Sequence, residues 1–400
     1  MTFGLVLLSF VQRIQNNPVL IWSFWGSAIM LVVWQVSLFR RSKALGRSLR
    51  TELRPQHYIQ ALVHLSVYAY WGWYWRPVYD FAWLLTAQLV FAYAFDMLLC
   101  WSRRHTYVLG FGPFPIIFST NLFLWFRDDW FYLQFLMIAV GFLGKEFVRW
   151  HRDGRSTHIF NPSAFSLGLF SLVLIATDSS NLTWGDQIAT TLNLAPNPYL
   201  FLFLLGLIVM YFFSITLVSA CAAAALFGLS ALYTSVTGVP FFHDAEIPIA
   251  VFLGLHLLVT DPSTSPRTAT GKAMFGVLYG LCVFGLYELL GSFGIPTFYD
   301  KLLGVPLLNL CVPAIDQAAR ALRRTDEPQP GGLEVIPRRA NLAFMAVWIL
   351  FFGAMAARGG ATDGKHTGDS VPFWQEACAL DQRNACRTLA LVEVVYCTDG

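Results

Sequence analysis

Charged residues are scarce in this sequence: Asp, Glu, Lys and Arg together make up 13% of its 400 residues. Soluble domains carry about 25% charged residues, so this composition excludes an ordinary soluble globular protein. The formal net charge is only +3, and the cations are spread over several loops. A nucleic-acid partner needs a concentrated basic face, and we therefore expect none.

Patterns for metal binding and covalent catalysis are also missing. Four cysteines lie in apolar stretches without metal-ligand spacing, and we interpret them as small core residues: Cys100, Cys221, Cys282 and Cys311. No nucleophile stands beside a base in any recognisable motif. The N-terminus has neither a basic region nor a small-residue cleavage site, so we expect no cleavable signal peptide. The sequence thus predicts no metal site and no catalytic residue.

Long apolar runs are what the sequence does contain. Hydrophobic residues make up 56% and aromatic residues 16% of the chain. Runs of about 18 or more apolar residues are typical of transmembrane helices. We predict an all-α integral membrane protein, a polytopic helical bundle of about 10–12 transmembrane segments. The segments are residues 18–39, 58–75, 81–102, 106–126, 130–148, 160–177, 199–217, 218–236, 247–260, 273–293, 300–320 and 341–358.

Two of these segments are predicted to be re-entrant half-helices. Segment 247–260 is too short to cross a bilayer, and segment 106–126 contains Gly112, Pro113 and Pro115. Clusters of Lys and Arg follow the first, third, fifth and eleventh segments. By the positive-inside rule, these clusters lie in the cytoplasm and the C-terminal tail lies outside.

A dense polar run, residues 260–272, separates two apolar segments and is called the polar segment below. Backbone that leaves the helical state inside a bilayer must face water, protein or a ligand. Thr268 suits the cap of the next helix, and Arg267 and Lys272 add positive charge where backbone N–H groups can seat an anion. The alternative is an ordinary loop with its caps. The candidate binding residues are Thr260, Asp261, Ser263, Ser265, Arg267, Thr268, Thr270 and Lys272.

Ionisable residues inside the apolar segments are few: His64, Asp96, His256 and Glu288. Because such residues are costly in a membrane, each is a functional candidate. His256 lies four residues before Thr260 and therefore shares its helix face. The alternative for each is a hydrogen bond that ties two helices together.

A second polar helix start, Asn161-Pro162-Ser163, follows a basic loop. Asn161 can cap the helix, and proline suits its first turn. One hundred residues later the chain reads Asp261-Pro262-Ser263. This echo predicts an internal repeat, parallel if every segment crosses the membrane and inverted if one re-entrant segment lies between the copies.

These residues carry a family resemblance. The run Phe160-Asn161-Pro162-Ser163-Ala164-Phe165 resembles the F-N-P-A-A-F motif of the NqrB/RnfD family, membrane subunits of the sodium-translocating NADH:quinone reductase and of the Rnf complex. Thr260-Asp261-Pro262, Ser265-Pro266, Gly271-Lys272 and Tyr279-Gly280 resemble its T-D-P-x-(S/T)-x-P…G-(R/K)…Y-G signature. The likeness covers roughly residues 60–325 and is closer still to the stand-alone UnbU-like branch.

The resemblance implies a subunit of a bacterial inner-membrane redox complex, rather than a self-contained enzyme, that binds flavin and helps to couple electron transfer to ion movement. Other electron-transport subunits are the implied partners. In the family, FMN is joined to the Thr of an S-G-A-T motif, which aligns with Ala189-Thr190 here, after Asp186. Gln187-Ile188 replaces Ser-Gly, and isoleucine blocks the close approach of a phosphate that glycine allows. We therefore expect noncovalent flavin (FMN or riboflavin), or else a quinone.

Two other functions compete with this one. A cofactor-free transporter or channel could use the same scaffold, with the broken helix starts lining a path for a small solute or ion. A structural or assembly subunit would use its polar residues only as helix caps.

The predicted domain organisation has four parts. They are residues 1–57, an N-terminal helix and basic loop; 58–325, the NqrB/RnfD-like core; 326–358, a cytoplasmic linker and last helix; and 359–400, an extracytoplasmic tail. In the tail, two Ala-Cys runs repeat at an eight-residue offset and resemble part of a Sel1-like repeat for protein contacts. Among Cys378, Cys386 and Cys397, one disulfide is expected.

Overall fold

The computed structural model describes residues 1–41, 47–152, 155–322, 336–361, 366, 368, 370–382 and 384–390. Contacts divide the chain into two compact units. The first consists of Met1–Leu194 and Val305–Leu310, and the second of Ala195–Gly304 and Cys311–Gly400. The four-part organisation drawn from the sequence stays a prediction, and part of its cytoplasmic linker lies outside the described residues.

The first unit is helical with two small sheets on its basic loops. Strands β1 and β2 pair in parallel, with Ser48 opposite Thr106, and β3 and β4 form an antiparallel hairpin. Neither sheet was predicted from the sequence. The elements are α1 Thr2–Leu8, α2 Gln12–Gln15, α3 Pro18–Arg41, β1 Ser48–Thr51, α4 Pro55–Tyr74, α5 Pro77–Asp80, α6 Ala82–Arg103, β2 Thr106–Leu109, α7 Pro113–Asn121, α8 Tyr132–Phe147, β3 Arg149–Arg152, β4 Arg155–His158, α9 Pro162–Ala176 and α10 Gly185–Thr191.

The second unit is helical throughout its described residues. One of its helices, α15, also supplies the short stretch Val305–Leu310 to the first unit. The elements are α11 Pro198–Phe213, α12 Thr216–Thr237, α13 Ile249–Leu257, α14 Ala269–Ser292, α15 Asp300–Leu322, α16 Arg338–Ala357 and α17 Val371–Ala379, followed by a short helix over residues 385–390.

The predicted fold class is confirmed, since every apolar segment contains a helix. Among the described residues, 6 helices are long and apolar enough to cross a membrane: α3, α6, α12, α14, α15 and α16. A seventh span results if α10 and α11, which meet at a bend of 102°, count as one. The remaining predicted segments are shorter helices, so fewer than the predicted 10–12 segments have the length of a full span.

Both expected half-helices are short and buried. Helices α7 and α13 contain 9 residues each, about 14 Å of helix against a hydrocarbon core of about 30 Å. Every residue of α13 is buried, so protein rather than lipid surrounds it. Non-helical backbone can therefore follow α13 without facing lipid.

The order of elements recurs along the chain. Helix α6 (22 residues) is followed by the half-helix α7, a loop and then α8 and α9. Helix α12 (22 residues) is likewise followed by the half-helix α13, a loop and then α14 and α15. An internal repeat is thus visible, but its copies align residues 122–131 with residues 258–268. The predicted pairing of Asn161 with Asp261 is therefore wrong, because Asn161 follows a long helix and a hairpin.

Helices α12 and α14 pack closely through glycine. A Cβ atom on Gly276 would lie 2.3 Å from the carbonyl oxygen of Val218, and one on Gly280 would lie 2.9 Å from that of Ala222. Two small residues four apart allow helix backbones to approach in this way inside membranes. This contact fixes α14, the helix that begins in the polar segment.

The described part of the tail folds against the second unit. Helix α17 and residues 385–390 form a pair joined by a Cys378–Cys386 disulfide. Trp374 and Ala385 are buried in a cluster with Val239. The tail is therefore a packed helical pair, whereas Cys397 lies outside the described residues. Its identity as a Sel1-like repeat stays a prediction.

Candidate functional site

The polar segment is buried in the second unit rather than splayed into solvent. The side chains of Thr260, Thr264 and Ser265 are each at most 3% exposed. Hydroxyl groups so deeply buried need hydrogen-bond partners. The Thr260 hydroxyl donates to the His256 carbonyl oxygen at 2.7 Å, which confirms that the two residues share a helix face.

Asp261 organises the turn after α13. Its carboxylate accepts hydrogen bonds from the backbone N–H of Ser263 at 2.9 Å, from the Ser263 hydroxyl, and from the Thr264 hydroxyl at 3.2 Å. Its carbonyl oxygen accepts from the Ser265 hydroxyl at 2.7 Å. A carboxylate and a carbonyl used in this way hold the loop in shape. These contacts are local and match the loop-and-cap interpretation for Asp261, Ser263 and Ser265.

The start of α14 is capped as predicted. Thr268 is its N-cap, and its hydroxyl oxygen accepts from the Gly271 N–H at 2.9 Å. The backbone N–H of Arg267 donates to the carboxylate of Asp316 on α15 at 3.1 Å. Gly271 is tightly enclosed, since a Cβ there would lie 2.8 Å from the Thr268 hydroxyl oxygen. Thr270 follows in the first helical turn and is half-buried.

The two cations of the polar segment differ in their surroundings. Lys272 is buried, and its ammonium donates to the Ser214 carbonyl oxygen, at the C-terminal end of α11, at 3.0 Å. Lysine at a helix C-terminus stabilises its last carbonyl groups. Arg267 is half-buried, and burial and then the nearby Arg320 lower the pKa of its guanidinium. Two guanidinium groups close to the N-terminus of α14 make this part of the segment strongly positive.

His256 lies in an aromatic cluster on α13. Its Nδ1 is 2.8 Å from the Phe252 carbonyl oxygen, and its ring centroid is 6.0 Å from that of Trp348. Gly206 makes room for the imidazole, since a Cβ there would lie 2.0 Å from His256 Cδ2. Among the described residues, neither His256 Nε2 nor Trp348 Nε1 has a hydrogen-bond partner. Buried polar atoms without partners are uncommon, so this cluster is the part of the second unit that calls for a further contact.

In the first unit, Asn161 caps α9. Its side-chain oxygen accepts from the backbone N–H groups of Ser163 at 3.1 Å and Ala164 at 3.4 Å. Its own backbone N–H donates to the Asn309 side-chain oxygen at 3.1 Å. Asn309, distant in sequence, was not predicted as a site residue. The cap prediction is confirmed, and a binding role for Asn161 stays a prediction.

Thr190 lies on α10 in the first unit, with its side chain exposed. Its hydroxyl donates to the Asp186 carbonyl oxygen at 3.1 Å, within the same helix. Residues 185–191 are helical, and Ile188 is buried. Their backbone N–H groups are therefore directed along the helix, which disfavours a phosphate cradle at Thr190.

Sequence reasoning missed two groups of buried polar residues. In the first unit, Gln88, Asn121 and Gln134 are fully buried and hydrogen-bond to one another at 2.7–3.2 Å. In the second unit, Asp300 and Lys301 form an ion pair at 3.1 Å. The signal for the pair was present, since Asp-Lys begins an apolar segment. Amides in apolar helices give a weaker signal, because they are less costly to bury than charges.

Long apolar helices, two buried half-helices and an enclosed polar segment together define a multi-pass helical membrane protein. Residues 145–323 match the model of the NQR2, RnfD, RnfE family. This range contains both motifs, so the resemblance to the NqrB/RnfD family is confirmed there. The closer likeness to the UnbU-like branch stays a prediction.

Curated relatives agree with the family match. The chain is 37% identical over 94 residues to an RnfD-type member of the ion-translocating oxidoreductase complex of Actinobacillus succinogenes, covering 23% of this chain and 24% of that protein. It is 37% identical over 84 residues to the protein of the same name from Aeromonas salmonicida, covering 21% and 22%. The match thus spans about a quarter of the length of these relatives. No solved structure matches the chain.

Proposed function

We propose that this chain is a membrane subunit of an ion-translocating electron-transfer complex in the bacterial inner membrane. The observation that carries the proposal is the family match over residues 145–323, within which both motif-bearing helix starts are capped and enclosed. The names of the two relatives support a role beside other subunits.

Co-purification tests this proposal. A full-length tagged chain, isolated in mild detergent from its native host, should bring further membrane redox proteins with it. An unrelated tagged multi-pass protein from the same host, purified in parallel, is the control. Recovery of the chain with the same set of proteins as the control would contradict the proposal.

The positive end of the polar segment supports a cofactor with an anionic group. Arg267 and Arg320 are close enough to interact, and both lie near the N-terminus of α14. A helix N-terminus beside two guanidinium groups favours a phosphate. The residues present therefore fit the phosphate of FMN, which Arg267 and Arg320 would hold.

The His256 cluster supports a ring-binding role in the same unit. His256 Nε2 and Trp348 Nε1 are buried without partners among the described residues, and aromatic rings surround both. Flavin and quinone rings present carbonyl groups that such nitrogens can bind between apolar walls. The cluster is closely packed, with Phe203 and Phe352 stacked at 3.9 Å, so a ring would have to displace side chains. A bound flavin supplies one- and two-electron transfer.

We propose that the flavin is noncovalent. The helical, exposed position of Thr190 and the buried Ile188 support this view. Acid precipitation should release all flavin into the supernatant, and the intact chain should have the mass of the unmodified polypeptide. A mass increase equal to one FMN minus water, lost in Thr190→Val but not in Thr191→Val, would contradict it.

The tail supports the proposed orientation. Disulfides persist in oxidising compartments such as the bacterial periplasm, and Cys378 and Cys386 are bonded. We propose that the tail is extracytoplasmic and offers a protein contact there. Labelling of the tail in intact cells by a membrane-impermeant reagent would support this orientation, whereas labelling only after lysis would contradict it.

One observation favours the competing interpretation of a loop with caps only. The hydroxyls of Thr260, Ser263 and Ser265 and the carboxylate of Asp261 all bond within the loop or its helix. Substituting Thr260, Asp261 and Arg267 together separates the two interpretations. Loss of bound cofactor from a protein that still purifies as a folded particle supports binding, whereas unchanged cofactor content supports the loop with caps.

A further inference from the structure

The first two residues of α15 form an ion pair that is almost completely buried. Side-chain exposure is 2% for Asp300 and 6% for Lys301, and the ammonium lies 3.1 Å from Asp300 Oδ1. Removing two charges from water costs several kcal/mol per ion, and apolar residues of similar size often stabilise a protein as well or better. Stability alone therefore does not explain the pair, and ionisable groups inside a membrane protein are functional candidates.

A buried hydroxyl without a partner faces the same place. Tyr279 on α14 is fully buried, and its hydroxyl has no hydrogen-bond partner among the described residues. Its ring packs beside Gly304, one turn after Asp300 on α15, with Cε2 at 3.7 Å from a Cβ built there. The charge of Asp300 acts on Tyr279. A phenol oxygen can accept a cation contact or donate a hydrogen bond, and this one does neither to any described residue.

A second carboxylate contributes to the local charge. One side-chain oxygen of Asp244, in the loop between α12 and α13, is buried without a partner among the described residues. The charge of Asp244 acts on Asp300. Arg387, also nearby, is paired with Glu288 at 3.1 Å. Two carboxylates thus share the ammonium of Lys301, which leaves the cluster one positive charge short.

We propose that Asp300, Tyr279 and Asp244 form a site for one monovalent cation of the sodium class, for which the Lys301 ammonium is the built-in competitor. The cation takes the place of the ammonium on the Asp300 carboxylate, with oxygen ligands from Tyr279 and Asp244. Hard cations prefer such oxygen ligands. The described residues hold no group of three or more His, Cys, Asp or Glu suited to a metal ion, which disfavours a divalent ion here. The inference rests on the proposed role in ion translocation and names its residues.

Removing the competitor tests the site. Purified full-length Lys301→Gln should bind sodium more tightly than the wild type, because the Asp300 carboxylate then lacks a counter-charge. We expect its thermal unfolding midpoint to rise by about 3 °C or more when sodium chloride replaces choline chloride at constant ionic strength. The wild type should need at least about tenfold more sodium for half of its response, since the ammonium must first be displaced.

Two variants serve as controls. Asp300→Asn/Lys301→Gln is neutral and nearly isosteric, so it should fold but lose the sodium response. Lys272→Gln removes the other buried lysine of the second unit, which bonds a carbonyl group rather than a carboxylate, and should gain no response. A sodium response in the double variant equal to that of Lys301→Gln, or none in Lys301→Gln, would overturn the proposal. Because binding is measured without electron transfer, this outcome is independent of the co-purification and cofactor tests.

Discussion

The two recurring sets of helices, α6–α9 and α12–α15, contain different kinds of buried polar residues. Among the described residues, those fully buried in α6–α9 are hydroxyls and amides, and Asp96 on α6 is only half-buried. The second set buries ionisable side chains: His256, Lys272, Asp300, Lys301 and Asp316. The amides of the first set bond to one another, whereas several atoms of the second set have no partner.

This difference separates a structural use of polarity from a functional one. A neutral network with every group bonded specifies packing without holding a ligand. Ionisable groups cost more to bury, and unpartnered atoms lose hydrogen bonds that water would supply. The second set thus keeps costly groups, which points to it as the set that binds ligands.

Gln134→Leu should produce the largest effect on stability. It removes the acceptor of the Phe126 N–H bond and two donors to Gln88 and Asn121. Each buried polar group left without a partner costs about 1–3 kcal/mol, so we expect a loss of about 2–4 kcal/mol. Unfolding in mixed detergent measures it. Leu136→Ala on the exposed face of the same helix is the control, and an equal loss in both variants would contradict a bonded network.

Gly206→Ala should have the next largest effect. The added Cβ would lie 2.0 Å from His256 Cδ2, so the imidazole or α11 must move. Overpacking of this kind costs about 1–3 kcal/mol. Combining it with His256→Ala should restore most of the loss in a double-mutant cycle. Additive losses would show that the glycine does not serve the histidine.

His256→Leu should leave stability within about 1 kcal/mol of the wild type, on the stabilising side, because it replaces an unpartnered nitrogen by an apolar group. The same variant should lose bound cofactor if the His256 cluster holds a ring. A stability loss as large as that of Gln134→Leu would remove the distinction between the two sets of helices.

The smallest effect is expected in the pH dependence of stability. A hydrogen bond from His366, and then one from Ser230, lower the pKa of Glu246 against the opposing effect of burial. A carboxyl whose pKa is lower in the folded state stabilises above its ordinary pKa and loses that contribution as the pH falls through the folded pKa. Stability should thus fall by under about 1 kcal/mol below pH 4.5. Glu246→Gln should flatten the curve there, and an unchanged slope would contradict the assignment.

Local features of the fold could be predicted from the sequence. The apolar segments became helices because they contain long runs of hydrophobic residues, and the two half-helices were identified by length and by Pro113 and Pro115. The caps Asn161 and Thr268 were identified because a polar residue precedes a helix start. The Cys378–Cys386 pair is one of the three pairings that the tail sequence allows.

Contacts between distant residues could not be predicted. Asn309 receives the N–H of a residue 148 positions earlier, and Asp316 that of a residue 49 positions earlier. Nothing in the local sequence indicates such partners. The pairing of Asn161 with Asp261 was wrong for a related reason, since a short motif echo carries no information about the order of helices around it.

The most direct test of the central claim is the amount of flavin or quinone bound per purified chain. We predict about one noncovalent flavin or quinone per wild-type chain, with at least a tenfold loss of affinity, about 1.4 kcal/mol or more, in Arg267→Gln. Arg358→Gln, an exposed arginine at the end of α16, should keep the wild-type amount. Colourless wild-type protein with neither cofactor extractable, or equal contents in all three proteins, would contradict the claim that the polar segment binds a ligand.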